Sequence, residues 1–320
     1  MSTSIPRLST DSLDDLYREL APLHFMAGWN KPTPSLYPAP YKTYEPALWR
    51  YREGHEALAT AGRLIDTSLA ERRNLIMVNP MPGNAYETCA TLVAAYQMLL
   101  PGEHARSHRH TPNALRLILD GDAGAYTTVE GQTITMEPGD VVLTPSWLWH
   151  GHGNEGKVAS YWIDYLDVPL VQRLEPMFFE LYPGGTQPPG PRVEDSPLRF
   201  PAREWQDRLA QASADAEGLF ARRLRLDTPS LRTMRLEMCA LEPRRAAAAV
   251  RSTANSIYSV VRGRGVSTID GVELAWERGD VFVAPCWRAQ SHRADEEAIL
   301  FRVSDEPLLE HLGLLRKDAG

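Results

Sequence analysis

Apolar positions in the first 75 residues recur at helical spacing and then give way to short alternating runs. Thr10-Asp11-Ser12 precedes LDDLYREL, a polar start with acids in the first turn, which predicts a helix. A stretch with five prolines, Lys31 to Pro46, interrupts the pattern, and the later part of TYEPALWRYREGHEALATAGRLI restores it. From about Arg73 the runs become rich in Val, Ile, Leu, Thr and Tyr, punctuated by Gly, Pro and Asp: NLIMVNP, ATLVAAYQMLLPGE, NALRLILDGDAGAYTTVEG, QTITMEPGDVVLTPSW and KVASYWIDYLDVP. Strands with turn signals every ~8–12 residues predict a β-sandwich or barrel. Residues 183–198 (PGGTQPPGPRVEDSPL) read as an exposed linker. A charged helical segment follows, the strand texture returns at about Thr233 and lasts to about Val303, and EPLLEHLGLLRKDAG predicts a terminal helix.

An internal repeat organises these strands. Residues 114–152 can be laid on 256–292, sharing a glycine hairpin, a second turn at Glu130-Gly131 and Asp270-Gly271, and a Gly-Asp turn at 139–140 and 279–280. Each Gly-Asp turn leads into Val-x-Val/Leu-x-Pro-x-Trp. The expected organisation is a helical and irregular segment over 1–75, a β-barrel over 76–182, a linker and helical segment over 183–232, and a second β-barrel with a terminal helix over 233–320.

Composition narrows the function classes. The chain has 320 residues, 43% hydrophobic and 23% charged, the profile of an ordinary globular protein. Its net charge of −7 with no basic block argues against nucleic acid or an anionic membrane as partner. The longest uncharged stretches, Asn74–Tyr86 and Thr88–Gly102, fall short of the ~18 residues that a membrane span needs. The polar, acidic N-terminus is unlike a signal peptide. Cys89, Cys239 and Cys286 are far apart with no CxxC pair, which excludes a disulfide scaffold and suits the cytoplasm.

The candidate chemistry lies in the first repeat, in Gly102-x5-His108-x-His110 and Gly139-x5-Pro145-x-Trp147-x2-His150. Side chains at i and i+2 of a strand share a face, so His108 and His110 project together into a barrel lumen. His150, about forty residues on, returns beside them after two hairpins. Three neutral imidazoles at one point make an open metal site with positions left for water, substrate or oxygen. Arg116 follows His110 by six residues and shares the inward face of an extended strand; its forked guanidinium suits a carboxylate. His152 is inward by the same parity and is a candidate acid/base group. Gln97 has the opposite parity to His108 unless a bend intervenes.

These stretches resemble the paired motifs of the cupin superfamily, and the duplication resembles a bicupin, a mainly β fold of two jelly-roll barrels with a helical N-terminal segment. PGEHARSHRHTPNALRLILDGDAGAYTTVEGQTITMEPGDVVLTPSWLWHGHGN is more specifically similar to the gentisate 1,2-dioxygenase family, which includes salicylate and 1-hydroxy-2-naphthoate dioxygenases. PALWRY (46–51), ERRNLIMVNP (71–80), Ala90 to Leu100 and YWIDYLDVP (161–169) carry the same resemblance. It implies Fe(II) held by His108, His110 and His150, with O2 and a small aromatic acid as the other reactants. It implies Arg116, Arg72, Gln97 and His152 as substrate-binding, Arg116 and His152 as catalytic, and Asp164 as a residue that orients its neighbours. Arg73 beside Arg72 leaves the arginine assignment open to a one-residue slip. A homotetramer is implied as well.

In the second repeat the corresponding positions are Val250, Ser252, Gln290 and Tyr258, with only His292 echoing His152, so a metal-free structural barrel is expected. Val93, Ala95 and Tyr165 differ from the residues common in the family and point to a 5-substituted salicylate, gentisate or a nitro analogue, opened between its carboxyl-bearing and hydroxyl-bearing carbons. Salicylate or 1-hydroxy-2-naphthoate cleavage, a cupin metal isomerase and a non-catalytic bicupin binding module are the alternatives.

Overall fold

The computed structural model describes residues 11–66, 72–245 and 247–319. The described residues fall into two compact units, one up to Tyr41 and one from Lys42 on. In the first, helix Leu13–Leu20 starts where Ser12 Oγ accepts the Asp15 N–H (3.1 Å), and the turn Ala21–Leu23 ends it. The predicted proline-rich interruption carries no regular structure up to Tyr41.

The described residues of the second unit form a mainly-β structure of four antiparallel sheets, two for each repeat. The first half has a six-stranded sheet ordered Arg199–Phe200, Val141–Thr144, Ala114–Asp120, Ser160–Leu166, Val93–Leu99, Arg73–Ile76. Its five-stranded sheet runs Phe179–Leu181, His104–His110, His150–Asn154, Ala125–Val129, Gln132–Thr135. The second half repeats both orders, from Ala47–Trp49 to Arg222–Arg225 and from Lys317–Ala319 to Val272–Trp276.

Alternation along the strands separates two kinds of core. Ile118, Val142 and Trp162 of the six-stranded sheet pack with Ala125, Val129 and Ile134 of the five-stranded sheet, inside the first half. The alternate residues Leu115, Leu117, Ile163 and Tyr165 turn the other way, onto Leu236, Ile257, Val283 and Phe301 of the second half. The two six-stranded sheets therefore bury a shared core back to back. On Ala114–Asp120, Arg116 and Ile118 thus face the interior of the first half, and Leu115 and Leu117 face the second half.

The halves also exchange arms. Ala47–Trp49, ahead of the first half, pairs with Val281–Val283 of the second, and Arg199–Phe200 pairs with Val141–Val142 of the first. The Gly-Asp turns receive the helices that follow these arms. Asp280 accepts from the Tyr51 N–H (2.9 Å) and Arg50 (2.8 Å); Asp140 accepts from the Ala202 N–H (2.8 Å) and Arg199 (2.8 Å). Glycine is needed there because φ is +88° at Gly139, and a Cβ would lie 2.9 Å from Ala202 Cβ. A three-residue strand has too little pattern to be read from sequence, which is why 1–75 looked like a separate helical segment.

The stretch read as an exposed linker is laced to the first half. Ser107 N–H donates to Gly185 C=O (2.8 Å), Gln187 N–H to Ser107 Oγ (2.9 Å), and Leu143 N–H to Leu198 C=O (2.8 Å). Proline and glycine set its path, and backbone pairing rather than apolar patterning holds it. Among the described residues no helix is long and apolar enough to cross a membrane.

Trp205, buried on the arm helix Ala202–Gln211, donates its indole N–H to Gly139 C=O (2.9 Å). Trp205→Ala should cost about 3–5 kcal/mol in denaturant unfolding. A loss below about 1 kcal/mol would show that the arm adds little to stability.

Candidate metal centre

The sequence places two histidines on one strand, and the register supplies the third. His108 pairs directly with His150 across the strands His104–His110 and His150–Asn154. The metal-donor atoms of His108, His110 and His150 all lie within 4.8 Å of one another. Among the described residues no other group of three His, Cys, Asp or Glu side chains converges in this way.

Each ring is oriented by its own backbone. His108 Nδ1 meets Arg106 C=O (3.2 Å), His110 Nδ1 meets Pro112 C=O (2.8 Å), and His150 Nδ1 meets Leu148 C=O (2.9 Å). A carbonyl only accepts, so each Nδ1 carries the proton and each Nε2 presents a lone pair. The peptides that bear these carbonyls are themselves anchored: Ser107 N–H to Gly185 C=O, Asn113 N–H to Asp167 (2.7 Å), and Trp149 N–H to Glu130 (2.5 Å). Burial and the Arg72 charge push the His108 imidazole down to about 3. Burial likewise lowers His110, and it lowers His150 strongly, with His108 and His110 adding to the effect on His150. The rings are thus neutral donors at physiological pH. Three neutral nitrogens with no carboxylate among them fit a borderline divalent cation such as Fe(II) and leave its double charge uncompensated.

Arg116 is buried on the facing sheet at an even, inward position. A turn at Thr111–Asn113 separates it from His110, so the two face each other across the interior instead of sharing one strand. Its Nη1 donates to Thr127 Oγ1 (2.8 Å) and lies 2.5 Å from His152 Nδ1 and 3.0 Å from Nε2; its Nη2 donates to Thr144 Oγ1 (3.3 Å). Burial lowers Arg116 to about 10, opposed by Asp164, whose Oδ1 is 3.3 Å from Nε. His152, pressed against Arg116, is held neutral by burial and then by that cation.

Asp164 ties the inner wall together, accepting from Gln97 Nε2 (2.6 Å) and Trp162 Nε1 (2.9 Å). The bend that brings Gln97 inward is the turn after Leu99, which breaks strand parity before His108. Gln97 Oε1 is buried without a hydrogen-bond partner. The Arg72 charge is close enough to bear on His108, His110, Arg116 and His152, lowering all four. Arg73 instead pairs with Glu103 and donates to Ile65 C=O (3.1 Å).

The rim contains groups that spacing did not reveal. Arg109 lies 4.3 Å and 4.5 Å from the ring centres of Trp147 and Trp149 and pairs with Glu180 (2.7 Å). Phe179, on the strand laid along the ligand strand, sits 5.5 Å from His108. Thr127 and Thr144 had no distinctive motif; only their inward parity marked them.

The comparisons with known proteins decide the family. Residues 95–167 match the Cupin domain model. Across 96% of its length the chain is 32% identical to 5-aminosalicylate 1,2-dioxygenase of Comamonas sp and covers 90% of that protein. It is 33% identical to a gentisate 1,2-dioxygenase of Streptomyces sp, over 96% of each chain. The chain belongs to the gentisate/salicylate 1,2-dioxygenase family. Salicylate 1,2-dioxygenase from Pseudaminobacter salicylatoxidans superposes with a TM-score of 0.86 at 27% identity, over 98% of this chain and 99% of that one. Like the rest of the family, this chain is a ring-cleaving dioxygenase.

The second half keeps the family's cupin frame but not the donors. Val250 pairs with Gln290 as His108 pairs with His150. Val250 has no donor atom, and Tyr258 donates to Gln290 (2.8 Å) while Phe220 stacks on His292 (5.3 Å), so aromatic rings fill the interior.

Replacing His110 by Ala should abolish stoichiometric retention of a divalent metal, measured by elemental analysis after gel filtration; retention at the wild-type ratio would remove His110 from the site. The lowered histidines also set a pH dependence. Below the ordinary imidazole value of ~6.5 the unfolded chain takes up protons that these buried rings refuse, so stability present above pH 6.5 is lost as pH falls. At pH 5.5 each ring held neutral costs about 1.4 kcal/mol. The metal-free protein should therefore melt at a lower temperature at pH 5.5 than at pH 7.5. An unchanged or higher midpoint would contradict buried neutral rings.

Proposed function

We propose that this chain opens an ortho-hydroxybenzoate between the carboxyl-bearing and hydroxyl-bearing carbons, with both atoms of O2 entering the product. The carrying observation is the convergence of three neutral imidazoles opposite the buried Arg116. His108, His110 and His150 would hold Fe(II), leaving coordination room for the substrate's carboxylate and hydroxyl oxygens. Iron supplies a path for electrons from the ring to dioxygen. Arg116 and Arg72 make the interior cationic, which draws in an acid and stabilises negative charge that develops as the ring is attacked. Asp164 keeps Arg116 and Gln97 in place, and Gln97 Oε1 offers an acceptor to a substrate hydroxyl. His152, neutral between Thr127 Oγ1 (3.0 Å from Nδ1) and Arg116 Nη1 (2.5 Å from Nδ1, 3.0 Å from Nε2), is the imidazole placed to give or take a proton in the reaction.

The substrate range we propose is wider than the 5-substituted salicylates that the sequence alone favoured. Relatives of similar identity carry names for amino-substituted and hydroxylated acids, and salicylate 1,2-dioxygenase shares the fold along nearly the whole chain. Salicylate and 1-hydroxy-2-naphthoate therefore belong to the proposed scope. We further propose that each pair of sheets closes into a jelly-roll barrel, the metal-binding one over 76–182 and the metal-free one over 233–320. A cytoplasmic homotetramer completes the proposal, supported by the family resemblance and by the free cysteines Cys89, Cys239 and Cys286.

Oxygen uptake by iron-loaded protein tests this reading across salicylate, gentisate, 5-aminosalicylate, 5-nitrosalicylate and 1-hydroxy-2-naphthoate. Substrate-dependent uptake with at least one is expected; none with any of them overturns it. Arg116→Ala should lower kcat/KM by roughly 10–100-fold, the value of a charge-assisted hydrogen bond, with iron content unchanged. Unaltered kcat/KM would take Arg116 out of substrate binding.

A further inference from the structure

The peptide between Pro112 and Asn113 carries a hydrogen bond at each end. Its carbonyl accepts from the ligand ring His110 at Nδ1 (2.8 Å), and its N–H donates to Asp167 Oδ1 (2.7 Å). Asp167 Oδ2 accepts from Asn113 Nδ2 (2.9 Å) and from the Thr233 hydroxyl (2.5 Å). Asn113 and Asp167 are buried and belong to the first half; Thr233 comes from the turn that enters the second half's strand Arg235–Leu241. A continuous chain of hydrogen bonds therefore runs from a hydroxyl of the metal-free half, through a carboxylate and one peptide plane, to a metal ligand.

We propose that Thr233 is a positioning residue for His110. A carboxylate on the peptide N–H polarises the peptide and strengthens its carbonyl as an acceptor, and a stronger acceptor at Nδ1 fixes the ring and raises the basicity of Nε2. The Thr233 hydroxyl keeps that carboxylate aimed at the peptide. Asn113 closes the arrangement by accepting from the Ser146 N–H (3.0 Å), in the loop whose Trp147 N–H donates to His110 C=O (2.9 Å).

The repeat contains a matched counterpart. Asn255 donates through its N–H and Nδ2 to Asp305 (2.8 Å each), Thr91 of the first half donates to Asp305 (2.5 Å), and Asn255 Oδ1 accepts from the Cys286 N–H (3.1 Å). Ser252 stands three residues before Asn255, where His110 stands before Asn113, and its Oγ accepts from the Ala254 N–H (3.1 Å), so this second clasp has no imidazole to orient. The two threonines share a local fold role and differ in whether a metal ligand lies at the end of the chain.

The inference rests on the triad being a metal site, and the test separates the two. Anaerobic Fe(II) titration against a competing chelator, with the visible spectrum of the Co(II)-substituted protein, is run on the full chain and on Thr233→Val, Thr233→Ser and Thr91→Val. Thr233→Val should weaken metal binding by about tenfold and alter the Co(II) spectrum, the effect usual for losing an outer hydrogen-bond partner of a ligand. Thr233→Ser should restore both, and Thr91→Val should leave both at wild type even if it lowers the melting temperature equally. Thr233→Cys, a weak donor of similar size, replaces the valine variant if that one does not fold. Equal affinity and spectrum in Thr233→Val and Thr91→Val overturn the inference. A wild-type chain that takes up no metal overturns the metal-site reading, and the inference with it.

Discussion

Everything in this structure depends on three imidazole Nδ1–H groups pointing at backbone carbonyls. Those bonds choose the tautomer, and the tautomer turns three Nε2 lone pairs toward one point. Each carbonyl sits within two residues of its own histidine, so the orientation is built into the strand and its adjoining turn. What the rest of the fold contributes is to bring His150 beside His108 and to anchor the peptides that carry the carbonyls. Burial then makes protonation unfavourable, which keeps the lone pairs available for a cation.

Three neutral imidazoles beside the buried Arg116 leave little in the interior to balance a bound cation. Asp164 balances the Arg116 charge and holds it in place, with Gln97 and Trp162 donating to the same carboxylate. A divalent ion deepens the positive field. An aromatic acid with an adjacent hydroxyl answers both demands: its oxygens can chelate, and its carboxylate charge meets a preorganised guanidinium. In the proposed reaction the electrostatics of the site thus favour an aromatic acid ahead of any preference for its ring substituent.

Duplication explains how much of this was legible in the amino-acid order. The His-x-His pair, the third histidine and the lost donors in the second repeat follow from local spacing and from laying one repeat on the other. Gln97 comes inward through the bend that its parity requires, a turn after Leu99 that resets the alternation, and Arg116 is inward on a facing sheet rather than along one strand. The exchanged arms were invisible because a strand such as Ala47–Trp49 has no period to detect, and its partner lies more than two hundred residues away. The Pro- and Gly-rich stretch over 183–198 looked like a free linker because its attachment uses backbone groups, which leave no trace in side-chain pattern. The Asn–Asp–Thr clasps were hidden for a related reason: each takes its threonine from the opposite half.

The most direct measurement is X-ray absorption at the iron edge of the loaded, oxygen-free protein, before and after salicylate is added. The account predicts three imidazole nitrogens in both states and two further oxygens from the acid in the second. Fewer than three imidazoles, or a protein carboxylate or thiolate in the iron's coordination shell, would contradict it.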